Sequence, residues 1–314
     1  MLMSWPDGIG TQMRIQGRCR DLLTPVSGDA EVLAEAQLAV GVALDRTIEE
    51  ISATPAQPAL AGLVGARGGG SLRSALDEVV PDQRQAGTPL SLLLDDIAGA
   101  TLIAGFAWLR WRDQLPEVTD GLQAMAARLR NMPRPSMEGI CSGFRPGASS
   151  LNPDGTQSGL AHNVVAVPPL ADVNDPLSWH PLETAPPVAM RRARRNDVHP
   201  DVDGQISVDA MFRDSSWEPD GTEIAVHEYH LLATVDGATG TLTSVVAEPR
   251  VLPFAECPMA GPKAARLSGL AVGDLRTEVL QRLRGTDCCT HLNDALRALA
   301  EVPVLALPLE ARPT

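Results

Sequence analysis

Apolar and polar positions alternate with a period of two in two well-separated stretches of the chain. In the first, Val32, Ala34, Ala36, Leu38, Val40, Val42 and Leu44 all fall on even positions, ending at Asp45. In the second, His227, Tyr229, Leu231, Ala233 and Val235 alternate, ending at Asp236. A period of two sends successive side chains to opposite faces, so both stretches predict half-buried strands, although the Ala/Glu-rich first one also has high helix propensity. Each runs through a turn into a second candidate strand, at 47–53 and 241–247. Near the C-terminus the period changes. Leu292, Leu296 and Leu299 recur at i, i+4 and i+7 and form the core stripe of a helix.

The two stretches sit in halves that resemble each other. MRIQGRCRDL at 13–22 and MRRARRNDV at 190–198 open them. AGLVG at 61–65 answers SGLAVG at 268–273, and Leu72-Arg73 answers Leu275-Arg276. Thr88 and Thr290 each open an apolar helix as candidate N-caps, since their hydroxyls can accept from orphan amides. The reading is an internal duplication; chance similarity in an Ala/Leu-rich chain is the alternative. The expected fold class is α+β, an antiparallel sheet with helices on one face, duplicated. Residues 1–130 form a degenerate copy, 131–187 a long Pro/Gly-rich connection, and 188–314 the copy that carries chemistry. Within the last, strands are expected at about 205–213, 224–236 and 241–248, and helices at about 259–267, 274–284 and 291–301.

Composition narrows the function classes. The net charge of −13 opposes nucleic acid and anionic membranes as partners. The longest apolar run, 98–109, is shorter than the roughly 20 residues of a membrane span, and predicts a buried helix. The N-terminal residues 1–13 have neither the basic nor the apolar part of a secretory signal. Five cysteines, an odd number at irregular spacing, point to free thiols in a reducing cytoplasm.

The candidate chemistry concentrates in the last hundred residues. Glu256-Cys257-Pro258 precedes one helix-like segment, and Cys288-Cys289-Thr290-His291-Leu292-Asn293-Asp294 opens the last helix. A thiol at a helix N-terminus meets oriented N–H groups that favour thiolate. Cys257, Cys289, His291 and Asp294 are therefore candidate catalytic residues of a site for a small organic molecule, with Cys and His as nucleophile and base. Cys257, Cys289 and His291 are alternatively ligands of zinc or of an iron–sulfur cluster. In a purely structural reading the thiols are small hydrophobes and His291 and Asp294 cap the helix. Glu228 and Arg213 are further candidates. Arg213, in FRDSSW, could hold a carboxylate or phosphate bidentately or make an ion pair with a neighbour. HEYH at 227–230 is one residue short of the zincin spacing, and on a strand its two histidines face opposite ways. The four arginines of 191–195 are split between two faces of an extended chain. Leu94-Asp95-Asp96 places two carboxylates in an apolar helix, where they need partners, by default arginines. GARGGGSLR lacks the residues of a P-loop.

The runs HEYHLLATVDG, EPRVLPFAECPMA and CTHLNDALRAL resemble a bacterial family known as domain of unknown function 2889, over most of 188–304. LLDDIAGATL and GICSGFRPG extend that resemblance. It implies no activity. The arrangement of a strand hairpin, a Cys starting one helix and a Cys opening a later one is also similar to the NifU-type iron–sulfur scaffold proteins. That resemblance implies Cys257 and Cys289 as two of three cluster ligands, with no counterpart here for the third. The expectation is thus an enzyme or binding protein for a small molecule, its site between the halves. A metal or iron–sulfur protein and a non-catalytic interaction module are the alternatives. The oligomeric state is left open, and a metal analysis separates the first two classes. One geometric expectation follows: Cys257 and Cys289 approach one another.

Overall fold

A computed structural model describes residues 1–26, 29–129, 135–158 and 163–310. The fold is mixed α+β, with an antiparallel sheet of nine strands among the described residues. The chain divides into two compact units. One comprises Met1–Met132, Ala166–Arg192 and Ser215–Ile224; the other comprises Pro133–Val165, Ala193–Asp214 and Ala225–Thr314.

In the first unit, β1 (Leu2–Ser4), β2 (Met13–Leu23), β3 (Glu31–Val42) and β4 (Ile48–Thr54) pair in sequence. The register runs Gly17↔Leu38 and Val40↔Ile51. Met13, Ile15, Leu38, Val40 and Val42 point inward. Helices α1 (Leu72–Val79), α2 (Pro81–Ala86), α3 (Pro89–Ile103), α4 (Phe106–Trp111) and α5 (Pro116–Leu129) follow. The α3 helix packs on β2 and β3. The Thr88 hydroxyl accepts from Ser91 N at 3.2 Å, so this threonine is the expected N-cap. The paired carboxylates find arginines. Asp95 lies 3.5 Å from Arg73 and 3.3 Å from Arg84, and Asp96 lies 3.5 Å from Arg192. The apolar helical run is longer than the sequence suggested: Pro89–Trp111 has 23 residues, long and apolar enough to cross a membrane, yet it is mostly buried within the fold.

β5 (Val165–Ala166) is a short strand, and β6 (Ala189–Pro200), β7 (Gln205–Trp217) and β8 (Glu223–Asp236) have residues in both units. In the second unit the sheet ends in a hairpin of β8 with β9 (Thr241–Val251), register Leu231↔Ala247. Gly240, at φ 67°, occupies the left-handed region that this turn requires. Val208, Ala210 and Phe212 of β7 share one buried face with Tyr229, Leu231, Ala233 and Val235 of β8. That face is covered by a 3₁₀ segment, Cys257–Leu267, and by α6 (Leu275–Arg282) and α7 (Thr290–Ala298); α8 (Val302–Glu310) ends the described chain. The segment after Cys257 is 3₁₀ rather than α-helical. Pro258 begins it and Pro262 stands inside it, where each removes a backbone donor.

Two further expectations change. β7 extends to Trp217, four residues past the predicted end, so Asp214 lies within a strand rather than before a turn. The N-cap of α7 is Cys289, without a side-chain cap bond, and Thr290 is the first helical residue.

Candidate functional site

Successive residues of a strand face opposite ways. On β7, Phe212 and Asp214 face the helices, and Arg213 faces away. On β8, His227 and Tyr229 face the helices, and Glu228 faces away. His291, in the first turn of α7, comes down on the same layer. Leu292, Leu296 and Leu299 are wholly buried, as the stripe predicts. The polar side of α7 is not solvated, however: His291, Asp294 and Arg297 are buried too. The Asp294 backbone carbonyl accepts from Arg194 at 2.6 Å, and the Arg297 guanidinium donates to the Arg276 carbonyl.

Three of these inward groups converge. Asp214 Oδ2 is 3.7 Å from His227 Nδ1 and 3.6 Å from His291 Nε2. The three ligand atoms all lie within 4.8 Å of one another, and all three residues are buried. Asp214 has no measurable exposure. The imidazoles of His227 and His291 stack, with centroids 3.5 Å apart and planes 16° apart. The Phe212 ring lies 6.5 Å from that of His291. On its other side, His291 Nδ1 is 3.3 Å from Thr290 Oγ1 and 4.0 Å from Cys289 Sγ. This leaves Nε2 as the nitrogen turned to Asp214.

Among the described residues, no other group of three His, Cys, Asp or Glu side chains is assembled closely enough to hold a metal ion. His291 thus belongs to a potential ligand set, but with Asp214 and His227 instead of Cys257 and Cys289. The sulfurs are directed elsewhere. Cys289 approaches the Nδ1 side of His291, and Cys257 Sγ lies against Gly143.

Nor does the helix-terminus argument for thiolate survive burial. Burial pushes the Cys257 thiol up to about 12, and the neighbouring Cys289 adds to the rise. Burial likewise pushes Cys289 up to about 11, against the opposing pull of the Tyr229 hydroxyl. Cys288 is pushed up to about 12 by burial and by the nearby Cys141. Loss of hydration outweighs the few oriented amides at these short termini, so the thiols stay protonated at neutral pH. Cys257 and Cys289 do share one apolar core, and Cys289 helps to raise the Cys257 thiol.

Arg213 and Glu228 pair with each other at 2.6 Å, on the face away from His227 and Asp214. This is the ion pair that FRDSSW allowed. His230 also faces away, as the strand reading predicts, and meets Asp209 at 2.8 Å and Glu248 at 3.4 Å. Asp294 lies one turn beyond His291 and outside the converging set.

Residues 190–305 match the model of a family described as a protein of unknown function, DUF2889. No curated protein and no solved structure matches the chain.

Proposed function

We propose, from the geometry within residues 190–305, which match the DUF2889 family model, that the chain is a metal-dependent protein acting on a small organic molecule. The ion is a divalent first-row transition metal held by Asp214, His227 and His291. The observation that carries this reading is the convergence of one carboxylate and two imidazoles, from three different elements, all buried. A cation shared by the three groups would balance the carboxylate's charge. Separations of 3.6 and 3.7 Å suit ligand atoms placed around an ion at roughly 2.1 Å. Two imidazoles and one carboxylate suit zinc, iron or manganese and leave coordination positions for water or substrate. Such an ion, held by Asp214, His227 and His291, would polarise a bound oxygen or lower the pKa of its water. The stacked rings present their faces to each other, whereas a bound ion needs both in-plane lone pairs. Binding an ion would therefore require the rings to separate. Thr290 Oγ1, accepting from Nδ1–H, would hold His291 in the tautomer that leaves Nε2 free to bind. The charge of −13 and five unbridged cysteines support a cytoplasmic setting without nucleic acid or membrane partners.

The test is the metal content of the full chain, purified without chelators, then stripped and reloaded. About one equivalent per chain is expected, with Asp214→Asn and His227→Ala weakening the ion at least 10-fold. A chain that takes up no transition metal would favour a second reading, for which the ring stack speaks: a carboxylate-bridged imidazole pair that relays a proton.

A further inference from the structure

We propose that Cys141 and Cys257 form a reversible disulfide in the folded chain, a modification site separate from the metal centre. Both thiols border the same small space. A Cβ at Gly143 would lie 2.6 Å from Cys257 Sγ and 3.8 Å from Cys141 Sγ, so a side chain at 143 would have to displace the Cys257 sulfur. The segment 141–144 is fastened beside Cys257. Ser142 Oγ donates to the Cys257 carbonyl at 3.2 Å, and Ser142 N donates to the Cys288 carbonyl at 2.7 Å. Phe144 packs against Phe254, with centroids 5.6 Å apart. Together these contacts hold the 141–144 segment beside Cys257 and Cys288, and side-chain rotation would bring the Cys141 and Cys257 sulfurs together.

The other thiols are less suited. Cys288 Sγ points to the Ile140 carbonyl at 3.6 Å, and Cys289 Sγ is taken up beside His291. Exposure sets the order of events. Cys141 is half-buried, whereas Cys257, Cys288 and Cys289 are buried. An oxidised low-molecular-weight disulfide therefore reacts first at Cys141. The Cys141 thiolate attacks one sulfur of the reagent and expels the other half as a thiolate. Cys257 then attacks the Cys141 sulfur of this mixed disulfide and expels the second half. Two protein thiols lose their protons, and one reagent disulfide becomes two thiols. Burial raises both protein thiols above their ordinary range, so the closure is slow at neutral pH and accelerates as pH rises.

The experiment uses the full chain with oxidised glutathione as the oxidant at pH 8.5, followed by alkylation and non-reducing peptide mapping. The expected product is a cross-linked peptide pair joining Cys141 to Cys257, about two mass units below the reduced pair, and reversible with dithiothreitol. Cys257→Ser should leave Cys141 as a stable glutathione adduct, Cys141→Ser should leave Cys257 fully alkylatable after denaturation, and Cys19→Ser should change nothing. Wild-type protein that retains the glutathione adduct on Cys141, or that joins Cys141 to Cys288, would overturn the proposal without any variant having to fold.

Discussion

Asp21 is a half-buried carboxyl in β2, and burial pushes it up to about 6 from an ordinary 3.8. The folded chain then binds more protons than the unfolded one between those values. This group's influence is most favourable below about pH 4 and is lost as pH rises through 6. Asp21→Asn should therefore stabilise the protein at pH 7.5 by about 1–2 kcal/mol, after discounting for solvent screening. The gain should vanish near pH 4 in urea unfolding; a pH-independent gain would contradict this cause. Asp214 and Arg213 make a different point. The adjacent pair is visible in FRDSSW, but which of the two turns inward depends on whether β7 runs past it. A strand ending at 213 leaves Asp214 in a turn, whereas the observed end at Trp217 aims it at the core. His227 was legible as facing away from His230, but not as a neighbour of Asp214 and His291, because nothing local in sequence encodes that meeting. His291 was legible from its motif. Cys257 and Cys289, its partners in the alternative metal reading, are protonated by burial in the metal-free chain, an effect the helix-terminus argument does not weigh.

For whole elements, local pattern was a better guide. The period-two stretch of 227–235 predicts β8, and its alternation can be tested directly. Leu231 is almost wholly buried, and its neighbour Leu232 is 42% exposed. Leu231→Ala should cost about 2–5 kcal/mol, and Leu232→Ala under about 1 kcal/mol, in chemical denaturation. Equal losses would contradict the register. Thr88→Ala removes a cap from α3 and should cost about 1 kcal/mol. The same change at Thr290 removes no cap bond, so its effect should fall instead on metal affinity, through the orientation of His291. What the pattern concealed was the polar side of α7. A helix with one leucine stripe reads as half-solvated, yet His291, Asp294 and Arg297 are enclosed with arginines and acids from other elements. The 3₁₀ form of Cys257–Leu267 was in principle legible, since Pro258 and Pro262 forbid regular α-helical bonding there.

The α+β class and the antiparallel pairing of the molecule as a whole were legible, because hairpin-length connections join period-two strands. Two compact units imply that melting need not be a single transition. An ion bound only by the folded site stabilises it, by about 2.7 kcal/mol at a hundredfold excess over Kd. Chelation should accordingly lower a melting transition that Asp214→Asn has already lowered. The central claim is a metal held by two imidazoles and a carboxylate, with no thiolate. X-ray absorption on the zinc-loaded full chain reads that ligand set most directly. The account predicts a first shell of nitrogen and oxygen at about 2.0–2.2 Å, with the outer-shell scattering of two imidazoles. A sulfur shell at about 2.3 Å would contradict it and return the site to Cys257 and Cys289.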